Sequence, residues 1–282
     1  MKNIFTILIA VILSVLVSSF ILKSHSTETK KESAYERVIR TGTLQCGYVI
    51  YPPAFEIDQK TGEKRGINHD VAEEWGKKLG IKINWAHEVI YGQHIQDLNT
   101  RKIDALCGCD GPLAYHAATQ VDYAHPYGYY SLYLYGRKQD IGKYKTLADF
   151  NDPKIRFNML DGDISTTMAD DEFPKAGRVS IPASGDATLL VENIVTGKAD
   201  VVILDTFSAM MVGKSGQKLV RLLPDRLGTF PCAFSVRKGE PELLKMIDQG
   251  MDLLNNLDIV KKLAIRDGID GTFSYPAKPY QE

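Results

Sequence analysis

Short β-favouring apolar runs, each followed within a few residues by a helical pattern, constrain this chain more than any other feature. The clearest case is TGKADVVILDTFSAMM, residues 196–211. Val201, Val202, Ile203 and Leu204 form an unbroken apolar run, which fits a strand buried on both faces. The run ends on one carboxylate, Asp205, and an amphipathic stretch begins at Thr206. The same alternation starts near residue 38. Residues 44–50 read as a strand, 68–79 as a helix with Val71, Trp75 and Leu79 on one face, 82–85 as a strand, 92–99 as a short helix and 103–107 as a strand. A second set follows: strand 155–160, helix 166–173, strand 179–182, helix 187–196, strand 200–204 and helix 206–212. Such an order implies mostly parallel sheets with helices on both faces.

Two extended aromatic-rich segments, near 124–136 (within YAHPYGYYSLYLY and its flanks) and 229–237 (FPCAFSVR), separate these units. The chain therefore leaves a first α/β unit, builds a second and returns. The predicted architecture is an α/β protein of two lobes, each a mixed, mostly parallel sheet, joined by a two-segment hinge near 131–137 and 230–236. Lobe 1 comprises 38–132 and 233–282, the latter with a helical stripe of Leu243, Ile247 and Leu254. Lobe 2 comprises 133–232. In open parallel sheets ligands sit beyond the carboxyl ends of the strands, and Asp205 follows such an end.

A chain of 282 residues is long enough for two such lobes. A net charge of −1, with no basic run longer than a pair, carries no nucleic-acid footprint. No charge occurs between Lys2 and Lys23. This apolar run of about 19 residues reads as a cleaved export signal or, at that length, as an uncleaved anchor, within residues 1–26. Residues 27–37 read as a solvated linker.

Several segments match a known family. GTLQCGYVIYPPAFE resembles its opening strand and tyrosine-proline-proline loop. GEKRGINHDVAEEWGKKLG resembles the start of its first helix, LNTRKIDALCG the entry to its third strand, VDYAHPYGYY the approach to its hinge, and TGKADVVILD the segment ending in a ligand-binding aspartate. Over about residues 36–265 the chain resembles the bacterial extracellular solute-binding proteins of family 3, the binding components of polar amino-acid ABC importers. The resemblance implies an exported periplasmic monomer that captures a small polar solute between two lobes and delivers it to an inner-membrane permease. It implies no cofactor and no catalysis. Asp205 would hold a ligand ammonium; the alternative role for an aspartate at that place is a helix N-cap.

The chain departs from the family where a ligand carboxylate would bind. The family's clamping arginine falls on His116 or Ala117, and no arginine lies between Arg101 and Arg137. In LDGDISTT the hydroxyl position is taken by Asp163, with Asp161 beside it; Ser165 is the nearest hydroxyl. Like charges at contact distance disfavour each other, so a cationic amine fits this cleft as well as an amino-acid-like ligand held by a displaced clamp. The candidate ligand set is Tyr51, Phe55 and Tyr91 as walls, Cys109 and Asp110 at the end of the third strand, and His116, Asp163, Ser165 and Asp205. Asp205→Ala is expected to abolish binding with little loss of fold.

Cys46, Cys107, Cys109 and Cys232 allow three disulfide connectivities; buried thiols, or a thiolate metal site with His116 or His125, are the alternatives. Two rival functions remain. One is a dehydratase-like enzyme on the same fold, although that chemistry also needs the missing arginine. The other is an accessory ligand sensor anchored in the membrane.

Overall fold

The computed structural model describes residues 32–90, 93–111, 119–182, 188–214 and 219–277. The predicted export segment lies outside these residues, as do the site candidates Tyr91 and His116. Among the described residues no helix is long and apolar enough to cross a membrane.

The first unit runs α1 (Ala34–Thr41), β1 (Thr43–Tyr48), the small hairpin β2 (Glu56–Ile57) and β3 (Lys64–Arg65), α2 (Ile67–Leu79), β4 (Lys82–Glu88), α3 (His94–Asn99), β5 (Ala105–Asp110) and β6 (Val121–Tyr123). The crossing strand β7 (Gly128–Arg137) leads to β8 (Arg156–Leu160), α4 (Ile164–Glu172), β9 (Gly177–Ile181), α5 (Leu189–Val195), β10 (Val201–Asp205), α6 (Thr206–Lys214) and β11 (Leu219–Arg221). The return strand β12 (Gly228–Arg237) is followed by α7 (Pro241–Asn256) and α8 (Ile259–Arg266).

The strand order is β4-β1-β5-β12-β7-β10-β8-β9, with β6 on β12 and β11 on β7. In lobe 1, β1 runs parallel to both β4 and β5. In lobe 2, β8 runs parallel to both β9 and β10. The two predicted sheets form one continuous path. The reason is the length of β12: ten residues extend about 33 Å, enough to serve both lobes. Gly228–Cys232 pairs with β7, and from Ala233 onward the strand pairs with β5 and β6.

Each lobe has its own core. Trp75, Val71, Leu44, Phe234, Leu243 and Met251 gather under α2 and α7 in lobe 1. Phe150, Phe157, Phe173 and Ile203 do so in lobe 2. The full burial of Val201, Val202, Ile203 and Leu204 matches the two-sided burial expected from their unbroken apolar run.

Between β6 and β7 the chain is tied to lobe 1. The His125 N–H donates to Asp248 Oδ1 at 2.7 Å, and His125 Nδ1 lies 3.0 Å from Asp252 Oδ1. These two aspartates stand one helical turn apart on α7. Beyond this tie, Tyr129 and Ser274 exchange backbone hydrogen bonds of 2.7 and 2.9 Å. The Phe273 ring packs so closely on Gly128 that a Cβ there would stand 1.9 Å from it, which requires glycine.

The Asp252 hydrogen bond holds the His125 imidazolium pKa above its ordinary value, with Asp248 adding to the effect against the cost of burial. A histidine raised in the folded state contributes stability that is complete below its unfolded pKa of about 6.5 and is lost as pH rises through the folded value. The melting temperature of the wild-type protein should therefore fall more between pH 6 and pH 8 than that of His125→Gln. Identical slopes would show that the tie carries no proton-linked stability.

Candidate functional site

The sequence places Asp205 at the carboxyl end of β10, immediately before α6, and the structure builds a polar centre around it. Asp205 is 8% exposed. Its Oδ1 accepts the backbone N–H groups of Phe207 at 2.7 Å and Ser208 at 3.0 Å, and its Oδ2 accepts the Ser208 hydroxyl at 2.5 Å. The N-cap role is thus realised in full: two orphan donors of the first turn are satisfied. Asp205→Ala will consequently weaken α6, contrary to the expectation of little loss of fold.

From lobe 1, the Tyr51 hydroxyl lies 3.2 Å from Ser208 Oγ. Burial, with the negative charge of Asp205 next in importance, pushes the Tyr51 phenol well above its ordinary pKa. Tyr51 is held by a tight loop, since it exchanges backbone hydrogen bonds of 2.8 and 2.9 Å with Phe55. The loop rests on the start of α2, where the Asn68 N–H donates to the Ala54 carbonyl at 2.9 Å. Gly66 makes this approach possible: φ is +109°, and a Cβ would meet the Ala54 carbonyl oxygen at 2.5 Å.

Asp163 occupies the matching place after β8, the parallel neighbour of β10. It caps α4, accepting the Ser165 N–H at 2.8 Å, and Ser165 is itself buried. Burial raises the Asp163 carboxyl pKa, and the charge of Asp205 raises it further. Two carboxylates therefore sit at adjacent strand ends of lobe 2, and Asp163 feels the charge of Asp205.

Other candidates lie elsewhere. Phe55 has no exposed surface; its ring stacks on Tyr48 at 4.9 Å and packs against Trp85 at 5.0 Å, so it supports lobe 1 and offers no wall to a ligand. The Asp110 carboxylate is turned into lobe 1. It accepts the Gly111 N–H at 2.9 Å and the Ser235 hydroxyl at 2.5 Å, and His94 Nε2 lies 3.4 Å away. Burial raises its pKa and His94 opposes that shift.

Cys109 is bonded to Cys232, and Cys46 to Cys107. The thiolate metal site considered from the sequence is overturned, because all four sulfurs are joined in pairs. Cys232 is the last β12 residue paired with β7, and Ala233 opposite Asp110 is the next. The second disulfide therefore ties the return strand to β5 where it changes lobes.

Sequence reasoning missed Ser208. A hydroxyl three residues after a helix-capping aspartate is a common surface arrangement, and only the approach of Tyr51 from the other lobe gives it meaning.

Two α/β lobes joined by paired crossing strands, with polar groups from both meeting near the strand ends, are the two-lobed architecture of periplasmic binding proteins. The chain belongs to the bacterial extracellular solute-binding proteins, family 3, whose family model matches residues 44–264. It is 20% identical over 244 residues to the L-cystine-binding protein TcyJ of Escherichia coli (strain K12), covering 86% of this chain and 88% of that one. Its fold is similar to that of a putative ABC-transporter binding component from Wolinella succinogenes complexed with lysine. That comparison has a TM-score of 0.70 at 24% identity and covers 80% of this chain and 95% of the other. It is also similar to the ancestral amino acid-binding protein AncCDT-1, a precursor of cyclohexadienyl dehydratase, with a TM-score of 0.69 at 24% identity, covering 83% and 99%.

Proposed function

We propose that this chain captures a small ammonium-bearing solute, amino-acid-like or a cationic amine, between its lobes and delivers it to an ABC permease from the periplasmic side of the inner membrane. The observation that carries the reading is the pairing of Asp163 and Asp205 at adjacent strand ends of lobe 2, where burial and then the charge of Asp205 raise the Asp163 carboxyl pKa, a repulsion that a ligand cation would relieve. The lysine and cystine named for its relatives carry such a group. The missing arginine clamp leaves recognition of a ligand carboxylate to backbone N–H groups or to residues of the other lobe. Tyr51, Asp163, Ser165 and Asp205 are the proposed contacts. Lobe closure follows from a ligand that touches both lobes, as a population shift.

We propose the division into 38–132 with 233–282 and 133–232; for the return strand, its change of partner between Cys232 and Ala233 supports the boundary. For the outgoing strand a boundary near residue 132 is supported by Tyr127 lying in the lobe 1 core, Tyr129 bonding to Ser274, and Leu132 being the first strand residue buried in the lobe 2 core.

A thermal-shift panel on the full-length chain tests the reading, with L-lysine, L-arginine and L-cystine set against cadaverine, choline and anionic solutes. A ligand at a hundred times its dissociation constant adds about 2.7 kcal/mol. Stabilisation by ammonium-bearing compounds is the expected result; stabilisation by dicarboxylates alone would overturn it.

A further inference from the structure

The first turn of α6 touches lobe 1 at three successive residues. The Thr206 hydroxyl donates to the Thr272 carbonyl at 2.8 Å. Phe207 has no exposed surface and lies in the core of lobe 1, its ring 6.2 Å from Tyr51 and 6.0 Å from Phe273. Ser208 meets the Tyr51 hydroxyl. The turn that caps itself on Asp205 is thus seated on the opposite lobe.

Hydrogen-bond chemistry gives this contact a direction. A carboxylate accepts and does not donate, so the Ser208 proton goes to Asp205 Oδ2. Ser208 Oγ then has only lone pairs left, so in its 3.2 Å contact with Tyr51 the phenol O–H is the donor, and the same hydroxyl also interacts with Asp205 directly. The relay runs Tyr51 to Ser208 to Asp205, and it crosses the cleft. A serine hydroxyl has three staggered positions; bonded from both sides, it is held in one. Without the Tyr51 hydroxyl, Ser208 would be bonded from one side only.

We propose that Tyr51 and Ser208 are positioning residues for Asp205: Oδ1 is held by the N–H groups of α6 whatever the lobes do, whereas the lobe 1 hydroxyl locks Ser208 and Ser208 fixes Oδ2, so that the Oδ2 side of Asp205 is fully set only when the lobes are together. This rests on the reading of Asp205 as a ligand group. It adds that Tyr51 acts through Ser208 and Asp205 as well as serving as a wall. It also assigns Ser208 a part in specificity, because the relay occupies one acceptor position on Oδ2 and leaves Asp205 room for few ligand donors.

The test uses the full-length chain and two conservative variants, Tyr51→Phe and Ser208→Ala, which keep the ring and the backbone. Amide hydrogen exchange is measured without ligand, and L-lysine binding is measured by calorimetry. Tyr51→Phe should speed exchange at Phe207 and Ser208, in the other lobe, by about two- to tenfold, the range of one hydrogen bond. Ser208→Ala should do the same at Tyr51 and Phe55. The double variant should match the singles, since both remove one relay. L-lysine affinity should fall by a similar factor in each.

Unchanged exchange at Phe207 and Ser208 in Tyr51→Phe, or effects that multiply in the double variant, would overturn the proposal. If L-lysine fails to bind the wild type while the exchange coupling is present, the relay stands and the assigned ligand class is wrong. If L-lysine binds and the coupling is absent, the relay is wrong and the ligand class stands.

Discussion

Asp205→Asn should lower ligand affinity about 10- to 100-fold while leaving the melting temperature close to that of the wild type, the range expected for one hydrogen bond to a charged partner. The two properties separate because Asp205 has two jobs. Its Oδ1 caps α6 through the Phe207 and Ser208 N–H groups, and asparagine caps a helix as well as aspartate does. Its charge is what a ligand ammonium would read, and asparagine lacks it. Asp205→Ala should lose both: binding as in Asp205→Asn, and about 1 kcal/mol of stability with the cap. Calorimetric titration and thermal melting of the two variants decide the matter. Undiminished affinity in Asp205→Asn would place the ligand away from β10.

Reduction should cost more stability than any single substitution considered above. Cys46–Cys107 and Cys109–Cys232 close separate loops, with sequence separations of 61 and 123 residues. Removing a native disulfide typically costs about 2–5 kcal/mol, and loops of this length lie toward the upper end. For a protein of this size each bond should then account for roughly 5–20 °C in melting temperature.

The two bonds should differ in function. Cys46–Cys107 joins β1 to β5 inside lobe 1, with both residues buried. The Cys46→Ser/Cys107→Ser protein should be less stable but bind normally at temperatures where it is folded. Cys109–Cys232 pins β12 at the residue where it leaves β7 for β5. Its removal should also weaken binding, because the return strand is then free to shift at the crossing. Four titratable thiols in denaturant without reductant would refute both bonds.

Much of the fold was legible because it rests on local periodicity. The strand at 201–204, the face of Val71 and Trp75 on α2, and the stripe of Leu243, Ile247 and Leu254 on α7 are each dictated by where apolar side chains must point. Ends were less certain. The strand expected at 82–85 runs on to Glu88, because its later residues pair with β1 whatever their polarity.

The site was legible only in part. An aspartate after a buried strand can be found by pattern, and Asp163 and Asp205 do stand after β8 and β10 as helix caps. Whether Phe55 walls a cleft or fills a core depends on Tyr48 and Trp85 coming to meet it, and these contacts are not local. Asp110 could be placed at the end of its strand, but not turned toward Ser235 and His94, because alternation along a strand names a face without saying what lies over it. Four cysteines permit three pairings of equal standing until the strand order puts β1 beside β5, and β5 beside β12.

The sequence by itself determined the elements and their parallel order, since backbone propensity and hydrophobic period are properties of the chain read in order. The tertiary structure decided the disulfide partners, the turning inward of Phe55 and Asp110, and the meeting of Tyr51 with Ser208. Each of these is a contact between residues far apart in the chain, and its energy exists only once both lobes are packed.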